Sequence, residues 1–430
     1  MILIKNGRVV DPLNKIDKKL DIMIDNDIIK EVGNNLEAKY DKEDLRVINA
    51  DGFVVAPGLV DVHVHFRDPG LTYKEDIHTG ANSAAKGGFT TVVCMANTKP
   101  SIDNAEILSD LVKREQSLLI NVLNTANVTK GMQGKELTDF KALKEAKAIG
   151  LTDDGIPIKD EKLLLEAFRK AKELDLPISL HEEDPALIGS NGVNQGEVSK
   201  KIGVPGAPAI AEDVLVARDC MLALEVGNRI DIQHISSKRS VEIVALAKKM
   251  GANVFAEVTP QHIALTEEAV LYKGTFAKVN PPLRTKEDKD ALIKALKKGT
   301  IDMIATDHAP HSKDEKMKSI MDAPSGMIGL ETALAVCITN LVKPGHLSLM
   351  QLLEKMTINP ASFYNLEVGQ LTEGHKADIV IFDESQSWVV DKKEFVSKAI
   401  NSPFIGEKLY GRVKYTICNG KIVYSDMQEL

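Results

Sequence analysis

The chain has 430 residues and a formal net charge of −8, with 43% hydrophobic and 27% charged residues. That is ample for a large core and has the balance of a globular enzyme, while the acidic surplus argues against nucleic-acid binding. It leaves room for a small anionic ligand, which needs only a local cationic pocket.

Residues 1–7 lack a basic stretch followed by a long apolar one, so no signal peptide is expected. Residues 2–4, 8–10, 21–24 and 28–32 are short β-type runs, the last two parted by Asn26-Asp27. The apolar run 53–62, broken by Pro57-Gly58, reads as a strand that delivers His63 and His65. Alternation places both imidazoles on one face and Val62 and Val64 on the other. Further strand-like runs follow at 90–95, 118–123, 148–152, 177–180, 229–233, 253–258 and 301–306. Helical patterns lie between them. In 160–175, Leu163, Leu164, Ala167, Phe168, Ala171 and Leu174 share a face, and 289–298 repeats this with Ala291, Leu292, Ala295 and Leu296. Eight β-then-α units predict a (β/α)8 TIM barrel, because parallel strands demand helical crossovers. The charged stretch 312–318 and Pro324-Ser325-Gly326 read as an exposed loop beside the barrel mouth. Residues 326–342 contain Glu331 and Asn340 and read as a buried helix, so no membrane span is expected. A strand at 377–382 and the Tyr415–Cys418/Asn419-Gly420/Lys421–Tyr424 hairpin signal make the far end β-rich, like the near one. A small β-sandwich-like domain formed by both termini, 1–52 and 366–430, should clasp a barrel at 53–365. Cys94, Cys220, Cys337 and Cys418 form no CxxC pair, as expected of reduced thiols in a cytoplasmic protein.

Barrels of this kind carry their active sites at the C-terminal ends of the strands. Those ends here bear His63 and His65, Asn97, Asp153 and Asp154, His181, His234, and Asp307. Two imidazoles two residues apart on a strand can grip one metal ion, and this set of donors suits zinc first. Arg67, next on that face, could hold an anion beside it. Each residue alone has a plainer explanation: His181 or His234 as a hydrogen-bonded core histidine, Asp153 or Asp154 as a turn residue before Gly155, Asp307 as a cap for Ala309-Pro310. The joint pattern outweighs these.

His63-Val64-His65-Phe66-Arg67-Asp68-Pro69-Gly70 and Ala305-Thr306-Asp307-His308-Ala309-Pro310-His311 resemble the two signatures of the dihydroorotases, cyclic amidohydrolases of pyrimidine biosynthesis. The resemblance spans essentially the whole chain and is nearest to the longer, bacterial type I form. It implies His63 and His65 at a first metal, His181 and His234 at a second, and Asp307 completing the first site as catalytic acid/base. Many relatives bridge the metals with a carbamylated lysine. Here Leu151-Thr152-Asp153-Asp154-Gly155 occupies that place, and the family pattern assigns the bridge to Asp154. It implies zinc, one or two ions per chain with two favoured. The substrate pair would be (S)-dihydroorotate and N-carbamoyl-L-aspartate. Arg67, Asn97 and His311 resemble the carboxylate-binding set, with His65 alongside; Asn280 and the backbone of Ser325 and Gly326 resemble the groups that read the ring's amide edges. The resemblance admits a homodimer and association with other pyrimidine-pathway enzymes. Two rivals stand beside it: a hydantoinase or allantoinase, which usually has the bridging lysine and no need of Arg67, and a non-catalytic barrel, which should have lost ligands.

Overall fold

The computed structural model describes residues 1–40 and 45–427. β1 (Ile2–Asp11) pairs antiparallel with β2 (Ile16–Asp25), which turns through Asn26-Asp27 into β3 (Ile28–Gly33). The two short runs expected near the N-terminus are one strand. Its register slips between Ile4 and Gly7, where Asn6 takes a left-handed φ of 65°. β4 (Arg46–Asn49) and β5 (Val54–Pro57) both lie parallel to β1.

At Pro57-Gly58 the chain changes sheets. β6 (Leu59–Val64) begins the barrel, so residues 53–62 are two strands in two sheets. Gly58 allows the crossing: a Cβ there would lie 2.1 Å from the Thr90 hydroxyl. The barrel continues through β7 (Phe89–Cys94), β8 (Asn121–Ala126), β9 (Ala148–Thr152), β10 (Ile178–Leu180), β11 (Ile230–Ile232), β12 (Val254–Val258) and β13 (Met303–Ile304), each parallel to the one before. β13 is too short to close the ring by a regular ladder. The Asp61 carboxylate accepts from the Thr306 amide, and the His65 amide donates to the His308 carbonyl at 2.9 Å, tying first strand to last. Full burial pushes Asp61 up to about 7.

Between the strands lie amphipathic helices. Glu161–Glu173 is capped by the Asp160 carboxylate on the Lys162 and Leu163 amides and buries Leu164, Ala167, Phe168 and Ala171. Lys286–Lys298 is capped by Thr285 and buries Leu292, Ala295 and Leu296. Within 326–342 only Ala333–Cys337 is regular α-helix, widening at Ile338–Val342. No helix among the described residues is long and apolar enough to cross a membrane.

The far end supplies β14 (Ile379–Val389), β15 (Lys408–Cys418) and β16 (Lys421–Ser425). β14 pairs antiparallel with β5, joining the termini in one eight-stranded mixed sheet around Ile4, Val9, Ile22, Val55, Ile379, Ile381 and Ile417. Asn419 and Gly420, at φ 48° and 72°, make the tight hairpin turn between β15 and β16. The first half of β15 has no clear alternation in sequence, because Gly411 (φ 95°) and the charged Arg412 and Lys414 interrupt it.

Candidate active site

A bulge prepares the first two histidines. The β6–β7 register shifts between Asp61 and Val64. Val60 and Val62 pack with Val93, Met303 and Phe363, whereas Val64 packs with Phe66 in the larger core. The simple alternation expected for Val62 and Val64 is therefore broken, as bulges beside active sites do when they re-aim side chains. His63 and His65 still meet, with ring centroids 5.3 Å apart. Arg67, His234 and Asp307 take left-handed φ values of 59°, 35° and 48°. Such non-glycine geometry costs about 1–2 kcal/mol per residue and marks a site whose surroundings enforce it.

The ligand-type atoms of His63, His65 and Asp307 lie within 4.8 Å of one another, as do those of His63, Asp154 and His234. His65 Nε2 is 3.0 Å from Asp307 Oδ1 and 3.5 Å from Asp154 Oδ2; His63 Nε2 is 3.6 Å from Oδ1 of each aspartate. His181 Nδ1 stands 2.9 Å from His234 Nε2 and 3.8 Å from Asp154 Oδ1. All six residues are buried. His63 Nε2 is a buried ring nitrogen with no hydrogen-bond partner, and the imidazole nitrogens of His181 and His234 face each other. Converging lone pairs of this kind fit a divalent cation bound by nitrogen and oxygen. Burial opposes charge on Asp154, yet His63, His65 and His181 hold its carboxyl well below the usual range. Asp307 is lowered too, against burial, by the hydrogen bond from His65 and the charges of His63 and His65. Burial, then His181 and His63, push His234 well below the ordinary imidazole range, which keeps it neutral, as a ligand must be.

Asp153 turns away. Its carboxylate accepts from the Val128 amide and from the amide and hydroxyl of Thr129, and burial lifts it to about 6. Asp154 is the member of the pair that reaches the histidines.

His65, Arg67, Asn97, Asn280, His311, Ser325 and Gly326 line the same cavity of about 170 Å³ as Asp154, His181, His234 and Asp307. The Arg67 guanidinium donates to the Pro310 carbonyl at 3.2 Å and forms no ion pair among the described residues, leaving its charge for a ligand. Asn97 spans two candidate ligands: its Oδ1 lies 2.9 Å from His65 Nδ1, and its amide donates to Asp154 Oδ2 at 2.8 Å. Asn280 Oδ1 is buried without a partner. His311 Nε2 lies 2.8 Å from the Ser325 carbonyl, which can only accept, and Nδ1 lies 3.3 Å from the Lys74 ammonium, which can only donate. The Arg67 guanidinium, which can only donate, lies 3.4 Å from the same Nε2. Gly326 has φ 128°, and a Cβ there would lie 2.8 Å from Ala309 Cβ and 3.0 Å from His311 Nε2.

Sequence reasoning missed the groups behind the ligands. Glu257 Oε1 accepts from His63 Nδ1 at 2.5 Å and from the His234 amide at 3.1 Å, fixing two candidate ligands with one oxygen. Its signal was an acid inside the apolar run 254–258. Glu183 Oε2 lies 3.3 Å from His181 Nε2 and leaves Nδ1 for the site. Residues 312–326 are not a free loop either. Ser312 caps Lys313–Lys316, and Lys316 is buried, although Met317 and Met321 are exposed.

A barrel whose strand ends gather four histidines and two aspartates at one mouth has the donor set of a metal-dependent hydrolase. A model of the family described as dihydro-orotase-like matches residues 52–240. The dihydroorotase of Clostridioides difficile is 58% identical over 427 residues, 99% of this chain and 100% of that one. That of Clostridium acetobutylicum is 55% identical over 426 residues, again 99% and 100%. The L-hydantoinase (dihydropyrimidinase) from Arthrobacter aurescens superposes with a TM-score of 0.88 at 27% identity, covering 100% of this chain and 97% of that one. The chain belongs to the dihydroorotase family, a metal-dependent family of cyclic amidohydrolases.

Proposed function

We propose that the chain catalyses the reversible hydrolysis of (S)-dihydroorotate to N-carbamoyl-L-aspartate in pyrimidine biosynthesis, with zinc as its metal, one or two ions per chain and two favoured. The observation that carries the reading is the cationic Arg67, without an ion-pair partner among the described residues, in the same cavity as His65, Asp154, His181, His234 and Asp307. A cyclic amide that carries a carboxylate on its ring needs both.

His63, His65 and Asp307 would hold one ion and His181 and His234 the other, with Asp154 between them. Metal bound there supplies Lewis acidity and a water acidic enough to react near neutral pH. Asp307 takes the proton of the attacking water and hands it to the departing ring nitrogen. Arg67, with Asn97 and His311, holds the carboxylate, Arg67 bidentately; His65 stands alongside. Asn280 Oδ1 accepts from a ring N–H, and the Ser325-Gly326 backbone follows the ring's amide edge, Gly326 by leaving space. In the biosynthetic direction the ureido nitrogen attacks the side-chain carboxyl carbon and water leaves.

The unpaired, buried cysteines support a reducing, cytoplasmic setting. A homodimer and association with other pyrimidine-pathway enzymes belong to the same proposal, tested by sizing and co-purification. The deciding assay compares hydrolysis of dihydroorotate with that of hydantoin and allantoin, with metal analysis of the same sample. Preference for hydantoin would overturn the substrate assignment.

A further inference from the structure

Two lysines near the mouth lie outside the mechanism. Lys278 and Lys316 are 4% and 1% exposed. Among the described residues, every hydrogen bond their ammonium groups make goes to a backbone carbonyl of one loop. Lys278 donates to Ile320, Met321 and Ala323 at 2.7, 3.2 and 2.7 Å. Lys316 donates to Pro324 and Gly326, both at 2.9 Å. An ammonium held in a protein interior by carbonyl dipoles alone is costly, and such a group fixes the shape of whatever solvates it. The carbonyls that Lys316 grips stand on either side of Ser325. The Ser325 carbonyl meets His311 Nε2, while Asn401 ties Gly326 to Ala309 and accepts from the His311 amide. The charge on the Pro324 carbonyl also polarises the peptide whose N–H belongs to Ser325.

We propose that Lys316 is a positioning residue for substrate binding: it holds Ser325 and Gly326 in register with His311, and Lys278 braces the outer half of the same loop. The inference rests on the dihydroorotate reading of the cavity. Among the described residues Lys316 makes no hydrogen bond to the candidate ligands; it grips the loop, and its charge also opposes a proton on His311. Burial and the neighbouring Lys278 lower Lys316 to about 7, against the pull of Glu315.

The test is steady-state kinetics of the zinc-loaded wild type, Lys316→Met, Lys316→Gln and Lys278→Met in both directions, with metal content and circular dichroism. Loss of hydrogen bonds from a charged donor should raise KM in Lys316→Met by about tenfold or more. Its kcat should stay within about threefold and its metal content unchanged, because no transition-state contact is removed. Lys316→Gln, which keeps two donors, should recover part of KM, and Lys278→Met should raise KM less than Lys316→Met. An unchanged KM in Lys316→Met, a fall in kcat alone, or a larger effect from Lys278→Met overturns the proposal. So does failure of both Lys316 variants to fold, which would make the residue a general support. A wild type inert towards dihydroorotate counts against the substrate reading alone. The Lys316 comparison is then made with whichever cyclic amide the wild type hydrolyses.

Discussion

Glu257 is the group whose removal most directly probes how the site is held. One of its oxygens accepts from His63 Nδ1 and from the His234 amide, while the other has no partner. Glu257→Ala would leave two buried donors unpaired, each costing about 1–3 kcal/mol. We expect a loss of stability of roughly 2–6 kcal/mol. The functional loss is separate. Freed rings can rotate, and His63 loses the acceptor that keeps its proton on Nδ1 and Nε2 open to metal. Partners of this kind contribute about 10–100-fold in metal affinity, or about 1.4–2.7 kcal/mol. Glu257→Gln keeps an acceptor oxygen but not the charge, so its loss should be the smaller. Zinc affinity by chelator competition, with metal content and urea unfolding on the same samples, measures both terms. A folded Glu257→Ala protein with wild-type zinc affinity would refute the argument that this carboxylate orients the ligands.

Asp307→Asn should keep most of its metal, held by the histidines and Asp154, yet lose about a hundredfold or more in turnover; metal-replete protein with near-normal turnover removes the acid/base role. Arg67→Met should weaken binding of both substrates by roughly 2–5 kcal/mol without changing metal content, and loss of metal instead would make the residue structural. Glu115 is pushed up to about 8 by burial, with its Oε2 accepting from Asn124 at 2.6 Å and its Oε1 and Asn124 Oδ1 both unpaired. A protonated Glu115 completes that pair, so the fold keeps a proton that the unfolded chain releases above its ordinary value of 4.5. Stability should therefore fall as pH rises from about 4.5 to 8. Glu115→Gln should abolish that slope and gain about 3 kcal/mol at pH 7; parallel urea midpoints across pH 5–8 for the two proteins would contradict it.

The residues that converge at the barrel mouth were legible in the sequence because a parallel barrel brings its strand ends together whatever their separation along the chain. His63, His65, Asp154, His181, His234 and Asp307 each follow an apolar run, and that position is enough to bring them to one mouth. The Asn419-Gly420 turn was equally legible, since both residues tolerate positive φ. Other features depended on contacts between segments that no local pattern encodes. The division of 53–62 between two sheets is set by β14, more than 300 residues later in the chain. Asp153 and Asp154 are chemically alike, and only the position of Thr129 decides which faces the histidines. Glu257 and Lys316 read as an odd acid in a strand and one more charge in a polar stretch. Their roles come from what surrounds them after folding: two ligand donors for one, two loop carbonyls for the other. Apolar periodicity and strand ends are local and survive in the sequence. The partner of a buried charge is decided only when distant segments pack and exclude water.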